Sequence, residues 1–154
     1  MFKVASWNVN SINARVEHVI LWLEQNDIDV LALQELKCVD EQFPFDPFFE
    51  RGYELIVSGQ KSYNGVAFIA RSEGEDVITE MPQFDDPQKR VLVATFNGIR
   101  LINVYVPNGQ ALGNNKYDYK LDWLEHFNRF VANQLEQYPL LAIMGDFNIA
   151  PENA

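Results

Sequence analysis

The dipeptide Asn97-Gly98, set between two strand-like runs, constrains this chain more than any other feature. Asn and Gly accept the positive φ that a two-residue hairpin turn requires, and the twist of that turn matches the strands it joins. Residues 91–96 and 99–106 are therefore predicted to be neighbouring antiparallel strands. Elsewhere strands alternate with two long helices. Residues 3–9 alternate in polarity, with Ala5, Trp7 and Val9 on one face and Ser6 and Asn8 on the other. Residues 14–26 carry Val16, Val19, Ile20 and Leu23 at helical spacing, with Asn13 as the expected N-cap. The runs 30–33 and 140–144 are continuously apolar, as strands buried on both faces are. Residues 53–58 and 66–70 read as strands around a turn at Asn64-Gly65, and the Asn- and Gly-rich stretch 107–115 reads as a loop. A second helix is expected over 117–137, with Leu121, Leu124, Val131 and Leu135 on one stripe and Trp123, Phe127 and Phe130 beside it. The class is α/β, with a mixed sheet that contains at least one antiparallel hairpin.

Four polar residues fall where predicted strands end or turn polar: Asn8, Glu35, Asp146 and Asn148. Strand ends are frequent sites in α/β proteins. Carboxylate and amide oxygens together suit a hard divalent cation. If 146–148 stay extended, Asp146 and Asn148 point the same way and Phe147 points inward. Each residue also has a plainer reading. Glu35 is then a surface carboxylate, Asp146 and Asn148 make a turn, Asn8 caps a helix, and Tyr105 is a half-buried strand tyrosine on the face of Asn103 and Leu101. Spacing alone does not choose between these readings.

The strings WNVNSINAR, LQELK, NGVAF, NVYVPNG and MGDFN, in this order and in these strand contexts, do choose. Together they resemble the exonuclease III family of DNA repair nucleases, which includes the apurinic/apyrimidinic endonucleases, and the resemblance runs through all 154 residues. It implies a DNase I-like four-layer α/β sandwich, with two mixed sheets face to face and helices outside. It implies a magnesium-dependent hydrolase, with manganese as an alternative, acting on double-stranded and abasic-site DNA. Glu35 then matches the principal metal ligand, and Asn8 a neighbour that supports metal and phosphate. Tyr105 matches a contact to the scissile phosphate. Asp146 matches the group that handles a proton, and Asn148 the amide that orients it, both beside the metal. Arg90 and Asn108 match DNA-contacting positions. Two rivals stay open, a phosphodiesterase of the same fold with a non-DNA substrate and an inactive binding or assembly fragment.

Charge and composition limit these expectations. The 12 Lys and Arg against 22 Asp and Glu give a net charge of −10, which excludes binding DNA through an overall positive field. A local group drawn from Lys37, Lys61, Arg90, Lys116 and Lys120 is the alternative. The single cysteine, Cys38, forms no internal disulfide, and the N-terminus carries no secretory pattern, so a cytoplasmic enzyme is expected. No apolar segment is long enough for a membrane span. His18 and His126 read as solvated helix positions rather than catalytic groups. The resemblance also implies that a later Asp segment and a Ser-Asp-His motif lie outside these residues, which make the N-terminal portion of one domain. On that reading an apolar sheet face is left open and the chain alone self-associates, whereas the full-length protein is a monomer.

Overall fold

The apolar run 30–33 becomes a strand covered on both sides, whereas 140–144, expected to be equally buried, falls at a sheet edge and is only half-buried, with Leu140 and Ile143 exposed. In the computed structural model, which describes residues 1–109 and 115–149, β2 (Val30–Gln34) is wholly buried and so is β4 (Val66–Ala70). With β1 (Val4–Asn8) and β3 (Glu54–Ser58) they form a mixed sheet in the order β1-β2-β4-β3, in which only β1 and β2 are parallel. The Asn97-Gly98 turn joins β6 (Val91–Phe96) to β7 (Ile99–Tyr105) as the sequence predicts, with both turn residues at positive φ. A short β5 (Glu75–Ile78) and β8 (Leu141–Asp146) complete a second sheet, β5-β6-β7-β8, in which only β7 and β8 are parallel.

The two-residue period of each strand sorts its side chains between layers. Val30, Ala32, Phe68, Leu92, Ala94 and Leu101 face the other sheet and form the middle layer. Leu31, Leu33, Ala67 and Ile69 face outward onto α1 (Val16–Gln25) and α2 (Phe45–Phe49) through Val19, Leu23 and Phe48. On the other side, Val93, Ile102 and Val104 meet Trp123, Phe127 and Phe130 of α3 (Asn115–Gln137). Each such large side chain contributes roughly 2–3 kcal/mol by leaving water. The result is the expected four layers, helix, sheet, sheet, helix.

Several expectations are corrected. Asn13 does not cap α1, because its amide donates to the Gln42 carbonyl at 3.2 Å and the helix starts two residues later than predicted from the apolar spacing, after Arg15. On α3 the buried stripe is Trp123, Phe127, Phe130 and Gln134, while Leu121 and Leu135 are exposed. The large aromatics win the core because they bury more apolar area than leucine. The short β5 and α2 were not foreseen. Among the described residues the inner faces of the two sheets cover each other, since both sheets arise within this chain. Edge strands lie open, among them β1 and β8, with Val4 and Ile143 exposed and Phe147 exposed just past β8. His126 is half-buried against the Phe84 ring, 4.6 Å between centroids, rather than solvated.

Candidate active site

Both parallel pairs are β-α-β units, β1-α1-β2 and β7-α3-β8, so each brings two strand C-termini to one place. The sandwich stacks these two places on each other. Tyr105 pairs directly with Asp146 across β7 and β8, and Asn8 pairs with Gln34 across β1 and β2. Two hydrogen bonds then cross between the sheets. Tyr105 Oη donates to Glu35 Oε1 at 2.7 Å, and Asn8 Nδ2 donates to Asp146 Oδ2 at 2.8 Å. Four residues far apart in sequence thus form one half-buried constellation.

Local backbone holds it. Glu35 follows β2 at φ +57°, a conformation that costs a non-glycine residue about 1–3 kcal/mol. The Ser11 N–H donates to its carbonyl at 2.9 Å, and Leu36 N–H continues to Gly65 O at 3.1 Å. Gly65, at φ +91°, allows that approach, because a Cβ there would sit 2.9 Å from Leu36 Cβ. Residues 146–148 do not stay extended. Asp146 Oδ1 accepts the Asn148 N–H at 3.0 Å, with Asn148 at φ +46°, so the segment turns. Asn148 Nδ2 donates to Val106 O at 2.7 Å, and Phe147 is 42% exposed rather than an inward anchor. A short Asp side chain that bonds its own backbone two residues on explains the turn. Asn8 Oδ1 likewise accepts the Asn10 N–H at 3.1 Å. Ser6, Asn8, Gln34, Gly145, Asp146 and Asn148 line part of an open cleft of about 530 Å³ beside these groups.

Tyr105 is the most perturbed member. Burial and then the bond to Glu35 push its hydroxyl up to about 12. It stays protonated, and a donor, across the physiological range. Arg90 lies with its guanidinium carbon 4.9 Å from the Tyr105 ring centroid and 5.9 Å from that of Tyr119, and its Nη1 donates to Tyr105 O at 3.1 Å. Its side chain is engaged with the tyrosine itself. Lys37 Nζ donates to Asn10 Oδ1, and Lys120 Nζ to Asn148 O at 2.8 Å. Lys61 and Lys116 are exposed. Asn108 is exposed three residues beyond Tyr105. His126 pairs with Asp122 on α3 and His18 is exposed on α1, both apart from the constellation.

Sequence reasoning missed the layer directly beneath. Asn103 and Gln34 are buried and joined, with Gln34 Nε2 donating to Asn103 Oδ1 at 2.8 Å. The signal was the period itself, since an amide facing the apolar layer two residues before Tyr105 needs partners.

Residues 5–154 match the Endonuclease/Exonuclease/phosphatase family throughout. The chain belongs to that family. Exodeoxyribonuclease III of Haemophilus influenzae is 30% identical over 157 aligned residues, spanning 98% of this chain and 59% of that protein. The structure of the Neisseria 3′ phosphatase NExo bound to product DNA hairpin superposes with a TM-score of 0.96 at 43% identity, over 99% of this chain and 60% of that one. An AP endonuclease from Archaeoglobus fulgidus superposes with a TM-score of 0.93 at 38% identity, over 99% and 59%. The chain therefore spans about three-fifths of the length of these family members.

As a cation site the constellation is sparse. Among the described residues no group of three or more His, Cys, Asp or Glu side chains converges. Glu35 with neighbouring amide and carboxylate oxygens is nevertheless an all-oxygen donor set. A small hard ion that keeps several waters and is held through one or two carboxylates fits it. No described helix is long and apolar enough to cross a membrane.

Proposed function

We propose that this chain is the N-terminal portion of a single-domain, divalent-metal DNA repair hydrolase of the exodeoxyribonuclease III type. It would remove nucleotides from 3′ ends of duplex DNA and cut at abasic sites. The observation that carries this reading is the pair of bonds across the sandwich, Tyr105 to Glu35 and Asn8 to Asp146, at the C-terminal ends of both parallel pairs. The DNA named with the relatives supports the substrate class.

In this reading Glu35 holds Mg²⁺, or Mn²⁺ in its place, with Asn8, Asp146 and Asn148 alongside. When bound, the ion supplies Lewis acidity at the phosphate. Asp146 takes the proton of the attacking water or assists the leaving oxygen, and its two hydrogen bonds fix its direction. Tyr105, protonated and braced by Arg90, presents its hydroxyl to the phosphate. Asn148 orients Asp146, to which its backbone N–H donates, and stabilises the transition state, while Arg90 and Asn108 contact the DNA. A cytoplasmic location and a monomeric full-length enzyme belong to the same proposal.

Titration calorimetry of the 154-residue chain with MgCl₂ is the direct test. Weak binding that disappears in Glu35→Ala is expected, and equal binding by both proteins overturns the metal assignment. The full reading frame is then assayed on a duplex with one abasic site. Cleavage should vanish in EDTA and in Asp146→Asn. A second reading, removal of a 3′ phosphate, is favoured by the 43% identity to a 3′ phosphatase. A duplex ending in a 3′ phosphate, assayed in parallel, separates phosphate release from chain cleavage.

A further inference from the structure

The middle layer of the sandwich is mostly aliphatic and aromatic, and such surfaces attract without preferring one exact register. Yet the site requires a particular register. Its two cross-sheet contacts are 2.7 and 2.8 Å long. A relative slip of one strand residue, about 3.3 Å, would lengthen either cross-sheet contact to about 4.3 Å, past hydrogen-bonding range. Something directional must hold the sheets.

Asn103 and Gln34 have that character. Asn103 is 0% exposed and Gln34 1%. Asn103 Nδ2 donates to Leu33 O at 3.0 Å and to Ala67 O at 2.9 Å, so one amide from β7 spans a paired position of β2 and β4. Its Oδ1 accepts from Gln34 Nε2 at 2.8 Å. The orientation is chemically determined, since a reversed amide would set its oxygen against two carbonyl oxygens. Gln34 Nε2 also reaches Ser6 Oγ on β1 at 3.1 Å. The members stand one or two residues before the site on the same strands, with Ser6 before Asn8, Gln34 before Glu35 and Asn103 before Tyr105.

We propose that Asn103 and Gln34 are positioning residues, whose hydrogen-bonded seam sets the spacing at which Glu35 meets Tyr105 and Asn8 meets Asp146. A buried polar network that is fully satisfied fixes one arrangement where apolar packing tolerates several. The significance for catalysis rests on the function proposed above, but the geometry does not.

Asn103→Leu keeps the volume and removes the seam. Its crystal structure decides the matter. Either cross-sheet contact opening beyond 3.5 Å sustains the proposal, and both staying at wild-type length overturns it. A second readout is Mn²⁺ affinity, measured well below the variant's melting temperature. An outer partner of a metal site typically sets about tenfold in affinity, so a tenfold weaker Kd is expected beside an opened contact. Val19→Ala, which thins the outer layer of the first sheet, should melt earlier with an unchanged Kd. If Asn103→Leu does not fold, Gln34→Leu is read by the same distances. Failure of both to fold makes the seam a purely structural element and overturns the positioning role. If the wild type binds no Mn²⁺ through Glu35, the proposed function fails, and the seam is judged on the distances alone.

Discussion

Gly145 is where the path of β8 depends most sharply on a missing atom. It lies at φ +149°, and a Cβ built there would stand 1.8 Å from the Val104 carbonyl oxygen. That oxygen belongs to the β7 residue paired with Gly145, one position before Tyr105 pairs with Asp146. Alanine at this position meets two separate penalties. The backbone conformation costs a side chain about 1–3 kcal/mol, and forcing the strands apart costs about 1–3 kcal/mol more. Gly145→Ala should therefore lose about 4 kcal/mol. For a chain of this size that lowers Tm by roughly 10 °C. Gly98→Ala separates the two penalties, because Gly98 has φ +76° but nothing within 4 Å of an added Cβ. Its loss should be about 1 kcal/mol, near 3 °C. The assay is scanning calorimetry of both variants beside the wild type. Equal melting of the two variants would refute the claim that the absent Cβ permits the close approach of β8 to β7.

Further outcomes follow from the same geometry. Because the folded state raises the Tyr105 pKa above its ordinary value of 10, to about 12, its contribution to stability is complete below pH 10 and is lost as pH rises toward 12. The urea midpoints of wild type and Tyr105→Phe should converge over that window, and a constant gap would show that Tyr105 does not titrate so. The open β1 and β8 edges should make the 154-residue chain self-associate in light scattering. Ile143→Lys, which places a charge on the exposed β8 edge, should shift it toward monomer. A wild type already monomeric at high concentration would contradict this.

The layers of this fold were legible wherever one strand face or helix stripe buries one kind of side chain. Val30 to Leu33 announced a central strand, and Asn97-Gly98 announced its hairpin, because both signals are local. The α3 stripe was misassigned because leucines and aromatics lie at similar helical spacing, and only packing against Val93, Ile102 and Val104 decides which is inside. Arg100 shows the same limit more strongly. It is 1% exposed, held by Gln134 Oε1 at 2.9 Å and Asp76 O at 2.7 Å, and stacked over Tyr138. Those partners come from β5, α3 and the residue just past α3, all distant in sequence, so nothing local separates it from a surface arginine. In the site, Asn8, Glu35 and Asp146 were legible as strand-end residues, whereas Tyr105 was legible only through the motif NVYVPNG. The turn at 146–148 was legible only as an alternative, because extended and turned backbone differ by one Asp side-chain bond.

The charges around the site bear on how a chain of net charge −10 would receive a phosphate. Glu35 and Asp146 place two carboxylates at the crossing of the sheets. Three of the basic residues available nearby are already engaged there. Lys37 is bonded to Asn10, Lys120 to the Asn148 carbonyl, and Arg90 to the Tyr105 carbonyl and ring. They stiffen the loops that carry the site more than they form a free anion-binding patch. A phosphate approaching without a counter-ion would meet the two carboxylates at close range, offset only in part by these committed cations, on top of the unfavourable long-range field. On the proposed reading, affinity for DNA at this site should therefore depend on divalent cation more steeply than on the same ionic strength of NaCl. The two carboxylates that disfavour a bare phosphate are the same groups that would favour the cation.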